Sequence, residues 1–294
     1  DVIQGAAIKA IKDQTDKIGT NSGDSPNATT AQTAIGNVAN GTTTCRGVDA
    51  DGLVVTTPGT RVAVEQGASL LGASAPAVAV RVASSNWFDP PVSLDVAGTV
   101  DGGSAAGVSL VPQGSGFVTR SLNVTVAASG VISGASGIAI DPGSGSSSAG
   151  ASIDNSGTIV GTGGIALLAS DPNRTGFTSI VNRAGGSIGA ISGSVGTLSN
   201  AGTIEGGSRS AVDWGTEFFA FGDVTNSGVI GSSGSVATLA NLSGRALTNT
   251  GTVENRGTGA AIASTGAISI LNGANGRIAS GGAIAIAGDD GLSL

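Results

Sequence analysis

The sequence predicts an all-β chain: a parallel β-helix over residues 61–294, behind a short amphipathic helix and an irregular cap over residues 1–60. Three observations predict it. An apolar residue, a spacer, Asn, a spacer, Gly, a spacer and an apolar residue recur down the second half, as in SIDNSGTI, TLSNAGTI, DVTNSGVI and LTNTGTVE. Each copy is trailed by a short alternating string such as GIALLA, SVATLA or AIAIA, and period-two alternation marks strands with one face inward. The composition, with 51 Gly, 39% hydrophobic and only 11% charged residues, suits strands and turns and disfavours long helices.

The first segment differs in kind. Ile3, Ala7, Ile8, Ile11, Thr15 and Ile18 fall on one face at helical spacing, with Lys9, Lys12, Asp13, Asp16 and Lys17 elsewhere. Such a helix either caps an open coil end or serves assembly, since uncovered strand edges invite pairing with another chain. Residues 20–44 are polar and are expected to form a loop or irregular cap.

The repeats, aligned on Asn155, Asn182, Asn200, Asn226, Asn249 and Asn272, step by 27, 18, 26, 23 and 23 residues, the length of one solenoid coil with variable loops. Gly157, Gly202, Gly228 and Gly251 follow two residues after the Asn, whereas SIVNRAGGSI and SILNGANGRI carry a short insertion there. Degenerate copies reach upstream: VAASGVI with Ala128 in the Asn place, LDVAGTV with Val96, and VAVEQGASL with only the Gly and the apolar frame. Eight or nine coils are expected. In a stacked coil each turn residue lies over its counterpart, so Asn is expected to ladder its amide from rung to rung and to tolerate a left-handed turn. Gly is expected to supply positive φ. Flexible linkers share the Gly, Ser and Thr content, but not the in-phase Ile and Val or the mean hydropathy of +0.28.

Charge and residue types narrow the chemistry. With 13 Lys and Arg against 20 Asp and Glu, no basic surface is expected for nucleic acid. No apolar run reaches the roughly 20 residues of a membrane-spanning helix. The single cysteine, Cys45, has no His anywhere in the chain to activate it. The best group of acids, Asp213, Glu217 and Asp223 around DWGTEFFAFGD, is weighed as a general acid and base pair against ordinary solvated loop acids. VDADG at Val48 to Gly52 and GDDG at Gly288 to Gly291 set oxygen ligands beside a Gly, yet neither completes a calcium loop. No catalytic residue, metal or cofactor is assigned, and the chain is expected not to be an enzyme.

Aromatics are the candidates for contact. Trp87 and Phe88 lie in NWFDPP, and Trp214, Phe218, Phe219 and Phe221 in WGTEFFAF, both of which interrupt the repeat as loops do. Exposed, they would stack on sugars or anchor a partner; folded back, they would pack on the helix wall.

Taken together, LTNTGTV, TLSNAGTI, DVTNSGVI and SIDNSGTI with their trailing Ala and Ile alternation resemble the passenger domains of bacterial autotransporters and filamentous-haemagglutinin-type surface proteins, over residues 60–294. The resemblance implies a right-handed parallel β-helix on the bacterial cell surface, carried there by an outer-membrane translocator. It implies an adhesin or self-association module that meets a host or neighbouring-cell surface, a glycan or another copy of itself. Within β-helices, a head-to-tail filament or surface-layer subunit and a polysaccharide lyase, hydrolase or glycan-binding module are the alternatives. Because the sequence begins at Asp1, removal of a leader or excision from a longer chain is expected.

Overall fold

The computed structural model describes residues 41–82, 89–113, 122–142, 148–171, 174–215, 222–282, 284–288 and 292–293. The helix expected over residues 1–19 lies outside them. The described residues form a parallel β-solenoid of 31 short strands in three sheets of eleven, ten and ten. Successive strands visit the first, second and third sheets in turn, so every third strand pairs with its predecessor one coil below, giving ten complete coils.

Apolar columns build the core. In the second sheet Leu70, Val100, Ile132, Ile159, Ile188, Ile204, Ile230, Val253 and Ile278 stack in register. In the third, Val78, Val108, Ile138, Leu167, Ile191, Val212, Leu239, Ile262 and Ile286 do the same. Nearly all are below 3% exposure, with only the last coil's Ile278 and Ile286 partly covered. Rungs about 4.8 Å apart leave no room for alternating sizes within a column, and β-branched side chains hold their rotamers on a pleated surface. Continuous Ile and Val stacks are the outcome.

The solenoid begins earlier than residue 61. β1 (Thr42–Cys45) pairs in parallel with β4 (Arg61–Val64), and β2 (Val48–Asp49) and β3 (Leu53–Val55) complete the first coil. The cap expected over residues 1–60 reaches across this coil because no Asn and no alternation mark it in the sequence. Its inward positions are Cys45, Asp49, Leu53 and Val55, all 5% exposed or less.

The three corners differ. Connections from the first to the second sheet are two or four residues long throughout, such as 97–98, 156–157 and 183–186. Those from the third sheet back to the first are the long ones: 81–91, 111–121, 141–148 and 214–223. One edge of the rod therefore carries the large insertions, while the edge bearing the Asn-x-Gly repeat is kept tight.

Candidate functional site

The tight corner is built by the last residue of each first-sheet strand. In register this column reads Cys45, Val64, Val96, Val126, Asn155, Asn182, Asn200, Asn226, Asn249 and Asn272. Val126, not Ala128, occupies the Asn place in the fourth coil, because that turn carries two extra residues. The column changes from apolar to amide at the fifth coil and stays so.

Each amide donates to the next. Nδ2 of Asn155, Asn182, Asn200 and Asn226 lies 2.8 Å from Oδ1 of Asn182, Asn200, Asn226 and Asn249, and Asn249 Nδ2 lies 2.7 Å from Asn272 Oδ1. The other amide proton is shared between the carbonyl that closes its own turn and one in the coil above. For Asn200 these are Gly202 O at 3.3 Å and Val229 O at 3.1 Å. Asn155 to Asn249 are buried, between 0 and 2% exposed. A buried amide needs such a set of partners, since an unsatisfied one costs about 1–3 kcal/mol.

The reason for Asn and Gly here differs from the turn chemistry expected. The ladder Asn residues are extended strand ends; among the described residues other than Gly, only Asn241 has positive φ. Gly157, Gly202, Gly228 and Gly251 are not left-handed either. A Cβ at Gly157 would overlap the carbonyls of Ala127 and Gly130, and one at Gly202, Gly228 or Gly251 would overlap the carbonyl of Gly186, Gly202 or Gly228 in the coil below. Close approach of one turn to the next, not backbone handedness, excludes a side chain.

The insertion edge collects the aromatics. Trp87 and Phe88 fall in connection 81–91, Phe117 in 111–121, and Trp214, Phe218, Phe219 and Phe221 in 214–223. Of eight aromatic residues only Phe177 lies elsewhere, 1% exposed in β16 (Thr175–Asn182). Trp87, Phe88, Phe218, Phe219 and Phe221 lie outside the described residues. Trp214 is described, and it is a correction to the contact reading: at 1% exposure it is part of the core, its side chain turned in where its chain leaves the third sheet. The Arg245 guanidinium stands 5.0 Å from its ring centroid and donates to Val195 O at 2.8 Å and Gly222 O at 3.0 Å. Arg245, itself only 4% exposed, fills inner space beside the insertion. Trp214 Nε1 has no hydrogen-bond partner among the described residues.

Of the candidate acids, Asp223 is exposed at the end of connection 214–223. Asp213 Oδ1 accepts from Gly215 N at 3.0 Å and Asn241 Nδ2 at 2.8 Å, and Glu217 lies outside the described residues. In VDADG, Asp49 is buried while Asp51 is exposed, and Asp51 N donates to Asp49 Oδ1 at 3.0 Å. Asp289, Asp290 and Gly291 of GDDG lie outside the described residues. Among the described residues no three His, Cys, Asp or Glu side chains gather as metal ligands would. Burial, then the charge of Asp49, pushes the Cys45 thiol up to about 11, against a weaker opposing bond from Gly47. That leaves it neutral and unreactive.

Three features had only faint sequence signals. Asn255-Arg256-Gly257 is another Asn-x-Gly, but at the second corner, where Gly257 N donates to Asn255 Oδ1 at 2.8 Å. Arg256 reaches over the bare backbone of Gly231 to Glu205, Nη2 to Oε2 2.6 Å, while its Nη1 lies 2.9 Å from Glu254 Oε1. Arg277 bonds the same Glu254 at 2.5 Å. The Arg277 and Arg256 bonds hold the Glu254 carboxyl below the usual carboxylate range. Arg245 is the third, an Arg just before an ordinary strand.

No protein family, curated protein or solved structure matches the chain.

Proposed function

We propose that this chain is the rod of a bacterial surface protein, an extracellular adhesin or self-association module whose contacts are made by the insertions along one edge. The observation that carries the reading is the division of labour among corners. Ten coils repeat with little change at the Asn edge, and the four longest connections all leave the third sheet for the first. Rigid elements that present variable loops are the usual arrangement for recognition. The sequence resemblance to autotransporter passengers supplies the setting: outside the cell, delivered by an outer-membrane translocator, facing a host or neighbouring cell, a glycan or another copy. With acids outnumbering bases, the same reading excludes nucleic acid as partner. It assigns no turnover, and Asp213 of the candidate group is held by two donors.

Beads coated with the chain test it directly. The wild type is expected to aggregate beads or bind cells or glycan arrays, and Trp87→Ala with Phe88→Ala, or Ser at Phe218, Phe219 and Phe221, is expected to abolish this with the circular dichroism unchanged. Retention that survives both sets of changes would overturn the edge assignment. Filaments in negative stain would replace it with end-to-end assembly, and new reducing ends from a glycan would replace it with catalysis.

A further inference from the structure

The turn after β28 (Ile268–Asn272) reads Asn272-Gly273-Ala274-Asn275-Gly276, two Asn–Gly pairs in five residues, and no other described Asn precedes a Gly. An Asn side chain can cyclise onto the following backbone nitrogen when three conditions hold. Water must reach it, its amide must be free to turn, and no Cβ may shield the nitrogen. The ladder positions below fail all three. They are buried, bonded to the coils on either side, and followed by Ser156, Arg183, Ala201, Ser227 and Thr250.

Asn275 meets them. It is exposed at the tip of the turn, and its side chain makes no hydrogen bond among the described residues. Asn272 meets them in part. It too is exposed, its Oδ1 held by Asn249 at 2.7 Å and its Nδ2 by Gly276 O at 2.9 Å within its own turn. Asn155 to Asn249 each have a further carbonyl acceptor from the next coil, and none is found for Asn272 among the described residues.

We propose that this turn is a self-modifying site, in which Asn275 first and Asn272 second lose ammonia and become aspartate or isoaspartate. The Gly276 nitrogen attacks Asn275 Cγ, the N–Cγ bond forms, and the Cγ–Nδ2 bond breaks. The proton lost from the Gly276 nitrogen leaves with Nδ2 as ammonia. Water then adds to either carbonyl of the resulting cyclic imide and reopens it to the acid. The sum is amide plus water to acid plus ammonia, with no oxidant or other partner.

The two conversions differ in consequence. At Asn275 only a charge is added. At Asn272 the donor to Gly276 O is replaced by a carboxylate oxygen that opposes it, while Asn249 keeps its acceptor. Isoaspartate also lengthens the backbone at a strand end, where Gly273 N donates to Asn249 O at 2.8 Å. This turn then loosens while the ladder below stays closed, and both conversions together take the net charge from −7 to −9 (−7 − 2).

The intact chain, held at neutral and mildly alkaline pH and mapped by peptide mass spectrometry, decides the matter. Among the described Asn residues, Asn275 is expected to convert first and Asn272 next. Asn155, Asn182, Asn200, Asn226 and Asn249 are expected to convert at least about tenfold more slowly, because reaction there waits on local opening of a packed coil. Asn275→Gln should remove the modified form of the peptide that spans residue 275. Thr250→Gly, which creates a buried Asn–Gly pair at Asn249, should leave Asn249 silent while the circular dichroism is native. If that variant does not fold, comparison of the native with the urea-unfolded wild type takes its place, and the urea-unfolded chain should convert Asn272 faster than the native one. Conversion of Asn272 and Asn275 no faster than the buried Asn residues, or rapid conversion of Asn249 in a folded Thr250→Gly chain, would overturn the proposal.

Discussion

Replacing Asn200 with Val asks whether the amide ladder acts as a unit. Val fits the place: Val64, Val96 and Val126 occupy the same column three to five coils below. The substitution takes the acceptor from Asn182 Nδ2 and the donor from Asn226 Oδ1, both at 2.8 Å and both buried. Two buried orphans cost about 1–3 kcal/mol each, and burying Val in place of an amide returns about 1 kcal/mol, so a net loss of about 1–5 kcal/mol is expected. Replacing all six Asn residues with Val removes every side-chain orphan of the ladder at once and is expected to cost no more than the single change, against about 6–30 kcal/mol if six such losses added. Urea unfolding followed by far-UV circular dichroism measures both, with an unchanged m-value as the check that the same surface is exposed. A six-fold variant that loses stability in proportion to the number of changes, or a single Asn200→Val with no loss, would refute the cooperative account.

Three further outcomes follow from the same geometry. Gly228→Ala sets a Cβ against the Gly202 carbonyl and is expected to cost about 1–3 kcal/mol or more in the same urea assay, even though Ala is the better strand former. Glu254 has a folded pKa held below its unfolded one, so its stabilisation is present above the ordinary carboxylate range and fades as pH falls through the folded value. With Arg256 and Arg277 side chains 47 and 58% exposed this is worth about 1 kcal/mol at most, and Glu254→Gln should flatten the acid limb of the stability curve and its salt dependence. Cys45, buried and with its thiol pushed up to about 11, should label with iodoacetamide at pH 8 far more slowly in the native chain than in urea. Equal rates would place it on the surface.

The repeat made most of the solenoid legible, and the physics shows where legibility stopped. Asn182 and Asn200 could be aligned because a buried amide in a stacked column needs another amide above it, which forces the same letter at each coil. Val64, Val96 and Val126 satisfy the same column without a hydrogen bond, so any apolar residue serves and the coils below the fifth fade from view. The first coil faded entirely, with Cys45 and Asp49 inward. Gly was right in place and wrong in reason, because spacing along one chain does not reveal the carbonyl beneath Gly228. At the insertion edge, composition marked Trp214 but not its direction. A Trp at a strand end can turn either way, and the space beside Val195, Gly222 and Arg245 that lets it turn in is formed by residues up to 50 positions apart. The pairing of Arg256 with Glu205, 51 positions away, was hidden for the same reason.

The central claim is that distance along this rod counts coils, not residues. Thr44, Ala63, Asp95, Thr125, Asp154, Val181, Ser199, Thr225 and Thr248 form one column in register. Spin labels on pairs from that column, in a chain with Cys45 replaced by Ser, read the spacing by pulsed electron resonance. Thr125 with Thr248 spans five rungs and should give about 24 Å, and Thr44 with Thr248 spans eight and should give about 38 Å, at about 4.8 Å per rung. Distances that follow the number of intervening residues, or that fail to rise linearly with rung number, would contradict it.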